Sequence, residues 1–392
     1  MEIASLFFFL FLIIILFLIT KKKRTLSIVS IMAPITFFGV IASFGFILYA
    51  LLVFVQLHGF KVHRKKLVYQ FVVFVAFLLP FVIYPSVVND ASIALNTMKY
   101  LQTIVIWSTL ILFTFSKYRL DVSYIKSFMK AFIFISLISG IFIHFIFNGY
   151  DEGMFRFSAI FFDANYYGLL CLVLYFVVDL SCQSSNWLKR ALIIMTFLSV
   201  SSTAILGLLI YIVTSKVKVV PILKYYSIFS IMIILNIIYY FIMNFLDSYK
   251  PNADSSMFIT YKLVSLSHRL AVQFDALDMI FANTGWLFGY GSGRNIELVG
   301  LALHNGYLQY IFSHGVVYFS LNLMIITWVY KLCFDKALLT AHKRKLQGIF
   351  LSMIMAGFLL DPFISLYFHL IVIFYISYIN RLNPIEPKMR LF

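Results

Sequence analysis

Apolar stretches of near-bilayer length recur along the chain from Ser5 to Tyr378, and short polar breaks between them hold most of the charge. Roughly 20 consecutive apolar residues form a helix long enough to cross a hydrocarbon core. The pattern predicts spans at 3–20, 28–57, 67–88, 101–116, 128–148, 160–181, 190–201, 203–215, 225–246, 304–332, 346–360 and 363–380. A membrane barrel would instead show short segments of strict alternation, and this chain does not. Backbone polar groups in lipid must be satisfied within the segment, which leaves helices. The expected fold is therefore all-α, a polytopic membrane helical bundle of about 11–13 transmembrane helices. Neither an internal repeat nor a low-complexity linker is visible, so residues 1–392 read as a single integral membrane domain.

Charge orients the bundle. Cytoplasmic loops carry an excess of Lys and Arg. The tail with Arg381, Lys388 and Arg390, the loops with Lys336 and Lys343-Arg344-Lys345, Lys216 to Lys224, Lys189-Arg190, Lys117 to Lys126, and Lys61 to Lys66 all fall inside together. Segments 89–100, 149–159, 247–303 and the Asp361-Pro362 turn then lie outside. All but six of the 31 Lys and Arg are internal in this arrangement, the external ones being Lys99, Arg156, Lys250, Lys262, Arg269 and Arg294. Two segments strain it. Residues 28–57 lie between two basic clusters, which leaves the side of the N-terminus open. Residues 190–215 do the same, and Ser199, Ser201, Ser202 and Thr203 at their middle mark a place where two short helices can meet.

Composition narrows the function. The net charge of +16 is dispersed in short clusters between apolar spans, and no large soluble basic domain exists to hold a nucleic acid. Cys171, Cys182 and Cys333 lie in or beside apolar spans without metal-ligand spacing. The first apolar run, Ile3 to Thr20, precedes its Lys21-Lys22-Lys23-Arg24 cluster, the reverse of a signal peptide, and reads as a retained helix. No DxD pair is present to hold a catalytic cation, so neither a metal nor another cofactor is expected.

Candidate chemistry gathers in the external segments. The large external loop, 247–303, is too long for a plain connection. Its centre reads as an amphipathic helix with Leu263, Leu266, Leu270, Phe274, Leu277 and Phe281 on one stripe and Arg269 beside it, next to Gln273. Arg269 at the headgroup level is either a functional cation or a snorkelling anchor. Gly289-Tyr290-Gly291-Ser292-Gly293-Arg294 reads first as a flexible turn, with an anion cradle of backbone N–H groups as the second reading. His304-Asn305 opens a long apolar helix. Gly315, three turns on, shares the histidine's face and lets a neighbour approach closely. In the shorter loop, Arg156 in Phe155-Arg156-Phe157-Ser158 precedes Asp163-Ala164-Asn165, which leads into a span as a functional group or as a helix cap. His144 and His369 fall singly within spans and read as satisfied by a neighbouring carbonyl or hydroxyl.

His304-Asn305, nine residues, then Gly315, preceded by Leu287-Phe288-Gly289-Tyr290-Gly291, resembles the signature of the O-antigen polymerase and ligase superfamily. The arginine-bearing loop running from Arg156 through Asn165 to Gly168 resembles that family too, as does the order of a small external loop, a large external loop and a histidine helix. The motifs cover residues 150–330. One departure stands out: many members carry a Ser-Arg pair in the middle of the short helix pair, where this chain has Ser201-Ser202-Thr203.

The resemblance implies a GT-C-like fold and an inverting, metal-independent glycosyl transfer on the outer face of the cytoplasmic membrane. The donor glycan would hang on undecaprenyl diphosphate. A polymerase would join lipid-linked repeat units into O-antigen or capsular polysaccharide; a ligase would pass the glycan to lipid A-core. His304, Arg269 and Arg156 become the expected catalytic groups, the histidine as base and the arginines against the diphosphate charge. Asn165, Arg294, Asn305, Gly291 and Gln273 become expected substrate contacts. Partners would be the lipid-linked glycan, membrane lipids, a chain-length regulator and a flippase. Polymerase is preferred over ligase, because a composition rich in Phe, Ile, Tyr and Lys suggests a surface-polysaccharide gene cluster. A lipid-linked oligosaccharide flippase is the alternative from another class; it would show two related halves and mid-span charges, and the sequence displays neither.

Overall fold

The computed structural model describes residues 73–104, 122–147, 157–158, 164–181, 185–218, 257–282, 285–300, 303 and 305–357, with a few single positions left out in the first and last of these ranges. The expected spans at 3–20, 28–57, 225–246 and 363–380, and most of that at 101–116, lie outside the described residues, as do His304 and Arg156.

The described residues are mostly helical and none is in a strand. The helices are α1 (Pro80–Val88), α2 (Val122–Phe147), α3 (Ala164–Ser181), α4 (Asn186–Leu198), α5 (Ser202–Thr214), α6 (Met257–Ala282), α7 (Gly285–Phe288), α8 (Arg294–Val299), α9 (Gly306–Lys336) and α10 (Thr340–Gly357). Two of them, Ala164–Ser181 and Gly306–Asp335, are long and apolar enough to cross a membrane.

Local chemistry sets the boundaries. Ser201 caps α5 by accepting the Ala204 N–H at 3.3 Å, and Asn305 caps α9 by accepting that of Leu308 at 3.2 Å. Each satisfies an N–H that has no intrahelical partner. α8 is flanked by Gly293 and Gly300, both at positive φ.

The expected meeting of two short helices within 190–215 is present. α4 runs back along α3 and α5 returns, so the pair is a hairpin. At one end Lys189 of α4 and Tyr211 of α5 both reach Asp179 near the end of α3. At the other, Ser199 and Ser201 press on Gly168, where an added Cβ would meet both side chains. Both tip serines are fully buried, and the Phe157 N–H donates to the Leu198 carbonyl across the tip at 3.0 Å. The tip therefore lies one turn inside the start of α3. α10 packs antiparallel on α5, with Ser352 opposite Gly207 and Gly348 against Tyr211 and Ser215.

α9 departs from the expected straight helix over 304–332. Gly315 sits at φ 81°, ψ 167°, outside helical space. The ring of Tyr307 meets that of Phe319 at 5.9 Å between centroids. Residues twelve apart lie about 18 Å apart along a straight helix, so the arm 306–314 folds back sharply on 316–336. The glycine does permit a close approach, because the Leu287 carbonyl occupies the space a Cβ would fill. Gly315 does not continue the helical face of the residues before it, since helical dihedrals end at the glycine. The straight part, 316–336, is about 31 Å long and by itself matches a hydrocarbon core.

Candidate functional site

The amphipathic helix expected inside the large loop exists as α6; among its described side chains most contacts are made by a face beside the expected stripe, with Leu277 of the stripe joining at the edge. Val272, Ala276 and Ile280 are buried against Leu303, Leu308, Phe312 and Tyr290. Phe281 of the expected stripe is 77% exposed, and Phe274 and Leu277 are only partly covered. Arg269 falls in register with the buried face, three residues before Val272 and seven before Ala276, and is half-buried, whereas His268 is exposed. An apolar stripe read by periodicity shows amphipathicity without showing which of two apolar faces meets protein.

Gln273, one turn after Arg269, ties α6 to the start of α9. Its Nε2 donates to the Leu303 carbonyl at 2.9 Å, and its Oε1 accepts from Asn305 Nδ2 at 3.4 Å. Asn305 also caps α9. Gln273 and Asn305, two of the expected substrate contacts, are thus brought together, but both ends of the Gln273 amide are engaged within the protein. Their observed work is to hold α6 against Leu303 and Asn305, the residues flanking His304 in sequence.

The glycine run is packed, contrary to the flexible turn expected first. Gly289 to Ser292 are buried. Every backbone N–H from 289 to 292 has a partner: Gly289 donates to Gly285 at 2.8 Å, Tyr290 to Phe312 at 2.7 Å, Gly291 to Ser313 at 3.0 Å and Ser292 to Asn96 Oδ1 at 2.7 Å. The break at Gly315 interrupts the helical bonding of Phe312 and Ser313, and the loop meets their carbonyls. The cradle reading fails for the same reason, since those N–H groups are not free to meet an anion. Gly291, an expected substrate contact, is a packing position; its φ is 101° and an added Cβ would strike Ala91. Arg294 pairs with Glu297 of its own short helix at 2.7 Å. Asn165 is half-buried in the first turn of α3, at the hairpin tip rather than beside Gln273.

Periodicity and motif reading passed over two groups. The first is Asn89 and Asn96. Asn89 Nδ2 donates to the Gly289 carbonyl at 3.0 Å. Asn96, 1% exposed, accepts from Ser292 and donates to Ser86 Oγ at 2.8 Å. They join two segments that charge alone assigned to one side. The second is Asp179, whose carboxylate meets Lys189 at 2.6 Å, Lys345 at 2.8 Å and the Tyr211 hydroxyl at 2.6 Å. A lone acid within an apolar span was the available signal.

The hairpin tip and the start of α9 share a depth. Counting along α3, α4, α5 and α10, the hairpin tip and the α10 end both lie about 15–18 Å from the Asp179 cluster. Tyr307 donates from its hydroxyl to the Ile354 carbonyl at 2.8 Å, which puts the start of α9 at the same level. Among the described residues no group of acids, histidines and cysteines is arranged to hold a metal ion. No family model and no curated protein matches this chain.

Proposed function

We propose that the chain is a membrane glycosyltransferase of the O-antigen polymerase kind, joining undecaprenyl-diphosphate-linked repeat units without a metal on the outer face of the cytoplasmic membrane. The observation that carries this reading is the Gln273 tie, which holds the Arg269 face of α6 against Leu303 and Asn305 on either side of the sequence position of His304. In this reading Arg269 offsets the charge developing on the diphosphate leaving group, bidentate guanidinium–phosphate contacts being well suited to that. His304 takes the proton from the acceptor hydroxyl. Arg156 is the second cation against the diphosphate.

The test is the polysaccharide profile of a strain lacking the gene, complemented with His304→Ala, Arg269→Ala or Arg156→Ala. The expectation is loss of long chains with normal amounts of membrane-inserted protein. Wild-type chain lengths in all three would reject the reading. Lipid A-core capped with a single repeat unit in the deletion strain identifies a polymerase; uncapped core identifies a ligase.

A second reading, a lipid-linked oligosaccharide flippase, is favoured by one observation: the hairpin tip and the folded start of α9 are breaks at the same depth, and broken helices are the usual material of transport sites. Accumulation of unpolymerised units on the inner leaflet of the deletion strain would select it.

A further inference from the structure

His314, the residue before the α9 break, takes no part in the proposed transfer and is 6% exposed. Its ring lies near those of Tyr310 and Tyr318, at 5.3 and 4.8 Å between centroids. Neither ring nitrogen has a hydrogen-bond partner among the described residues. A neutral imidazole carries one N–H donor and one acceptor nitrogen, and leaving them unmet inside a protein is costly. Ser292, packed at the same corner, is in the same position, since its Oγ is buried without a partner. The Gly291 N–H just before it donates to the carbonyl of Ser313, the neighbour of His314.

A cation joins these two groups. Asn96, Lys99 and Thr103 follow at spacings of three and four, so they share one face of their helical segment. Asn96 accepts the Ser292 N–H at 2.7 Å. Thr103 lies beside the Tyr318 hydroxyl, and Tyr100 packs with Tyr310 and Tyr318. Lys99 therefore stands between a contact to Ser292 and contacts to the tyrosines around His314, and its ammonium acts electrostatically on the His314 ring. Lys99 is exposed and pairs with no acid among the described residues. Along the arm 306–314, Tyr310 and His314 lie about 200° round from Leu308 and Phe312, the residues that meet α6. The corner thus faces away from Arg269 and Gln273.

We propose that Lys99, His314 and Ser292 bind a phosphate group, free or carried on a lipid. An ammonium, an imidazole N–H and a hydroxyl supply three donors to a tetrahedral oxyanion. The anion in turn gives the two buried groups an acceptor and Lys99 a counter-charge. The site is separate from the one invoked for glycosyl transfer and stands without it.

The test follows the thermal midpoint of the purified full-length chain in maltoside detergent against inorganic phosphate, with sodium chloride at matched ionic strength as the reference. Phosphate is expected to raise the midpoint saturably. Lys99→Gln should weaken the apparent affinity about ten-fold, since a charged hydrogen bond is lost. His314→Phe keeps a ring beside the tyrosines, removes both nitrogens and should weaken it similarly. Lys126→Gln with Lys130→Gln on α2 should leave the response unchanged. Farnesyl phosphate separates the two sources: a tighter, Lys99-dependent response than to inorganic phosphate identifies a lipid-borne group, and an equal one identifies free phosphate. No rise with either phosphate, a full response in Lys99→Gln, or an equal loss in the α2 variant would each overturn the site. Should His314→Phe fail to fold, Lys99→Gln, at an exposed position, decides alone.

Discussion

The two ends of the described structure are held by opposite means. Around Asp179 the contacts run between charged side chains, and one carboxylate gathers α3, α4, α5 and α10. Around the glycine run they are mostly made by backbone: N–H groups of Tyr290 and Gly291 meet carbonyls at the α9 break, with Asn89 and Asn96 completing the join. The first arrangement depends on charge and tolerates little loss of it. The second depends on the chain passing where a side chain would block it, and so on residues with no side chain at all.

The largest effect should come from Asp179→Ala, which leaves two ammonium groups partly buried without their partner. Removing one side of a buried ion pair typically costs about 3–5 kcal/mol, so thermal melting in detergent should show a large loss or no folded protein. Replacing Asp179, Lys189 and Lys345 together with apolar residues should recover most of it. A triple variant as unstable as Asp179→Ala would mean that the hydrogen-bond geometry, and not charge balance, holds this end.

Gly315→Ala probes the other end. Non-glycine residues at such dihedrals cost on the order of 1–3 kcal/mol, and here the new Cβ also meets the Leu287 carbonyl. Gly300 shares the positive φ of 80° but has ψ −20°, the milder left-handed helical region, with nothing within 4 Å of its added Cβ, and so sets a lower reference. Gly300→Ala should cost about 1–2 kcal/mol. Equal losses would show that neither the extended ψ of Gly315 nor its close approach adds to the cost.

Asn96→Ala leaves the buried Ser292 N–H without an acceptor, at a cost of about 1–3 kcal/mol. Hydrogen exchange should rise at residues 289–293 more than at α4 and α5. A uniform rise would count against a local clasp.

The smallest expected effect is one of pH. Burial, then the Lys345 ammonium, holds His342 below the ordinary imidazole value of 6.5. The unfolded chain takes up the proton first as pH falls, so His342 contributes stability above about pH 6.5 that is lost on acidification below it. His342→Gln should flatten that part of the stability profile, and an unchanged slope would assign it elsewhere.

Periodicity read the helices well where burial or lipid-scale apolarity was uniform. Spans expected at 160–181, 203–215 and 346–360 correspond to α3, α5 and α10 with shifts of a few residues. The helix pair within 190–215 was legible because serines interrupt an apolar run at its middle. The fold-back at Gly315 was not. A glycine in an apolar helix is compatible with a straight helix closely packed or with a break, and only the Leu287 carbonyl and the loop N–H groups, donated from more than twenty residues earlier in the chain, decide between them. The candidate site divides in the same way. Arg269 and Gln273 were visible as polar positions on an amphipathic helix, whereas their alignment with Leu303 and Asn305 needed the second apolar face of α6 to find its partner.

By itself, then, the order of apolar and charged residues determined that the described residues are helical and roughly where several of their helices run, because these follow from local burial. Tertiary structure alone decided which acid answers the lysines, that an apparently flexible glycine run is a packed strut, and that the longest helix among the described residues is bent back on itself. Each of those depends on a contact between residues far apart in sequence, and no local pattern records which distant group will fill a given space.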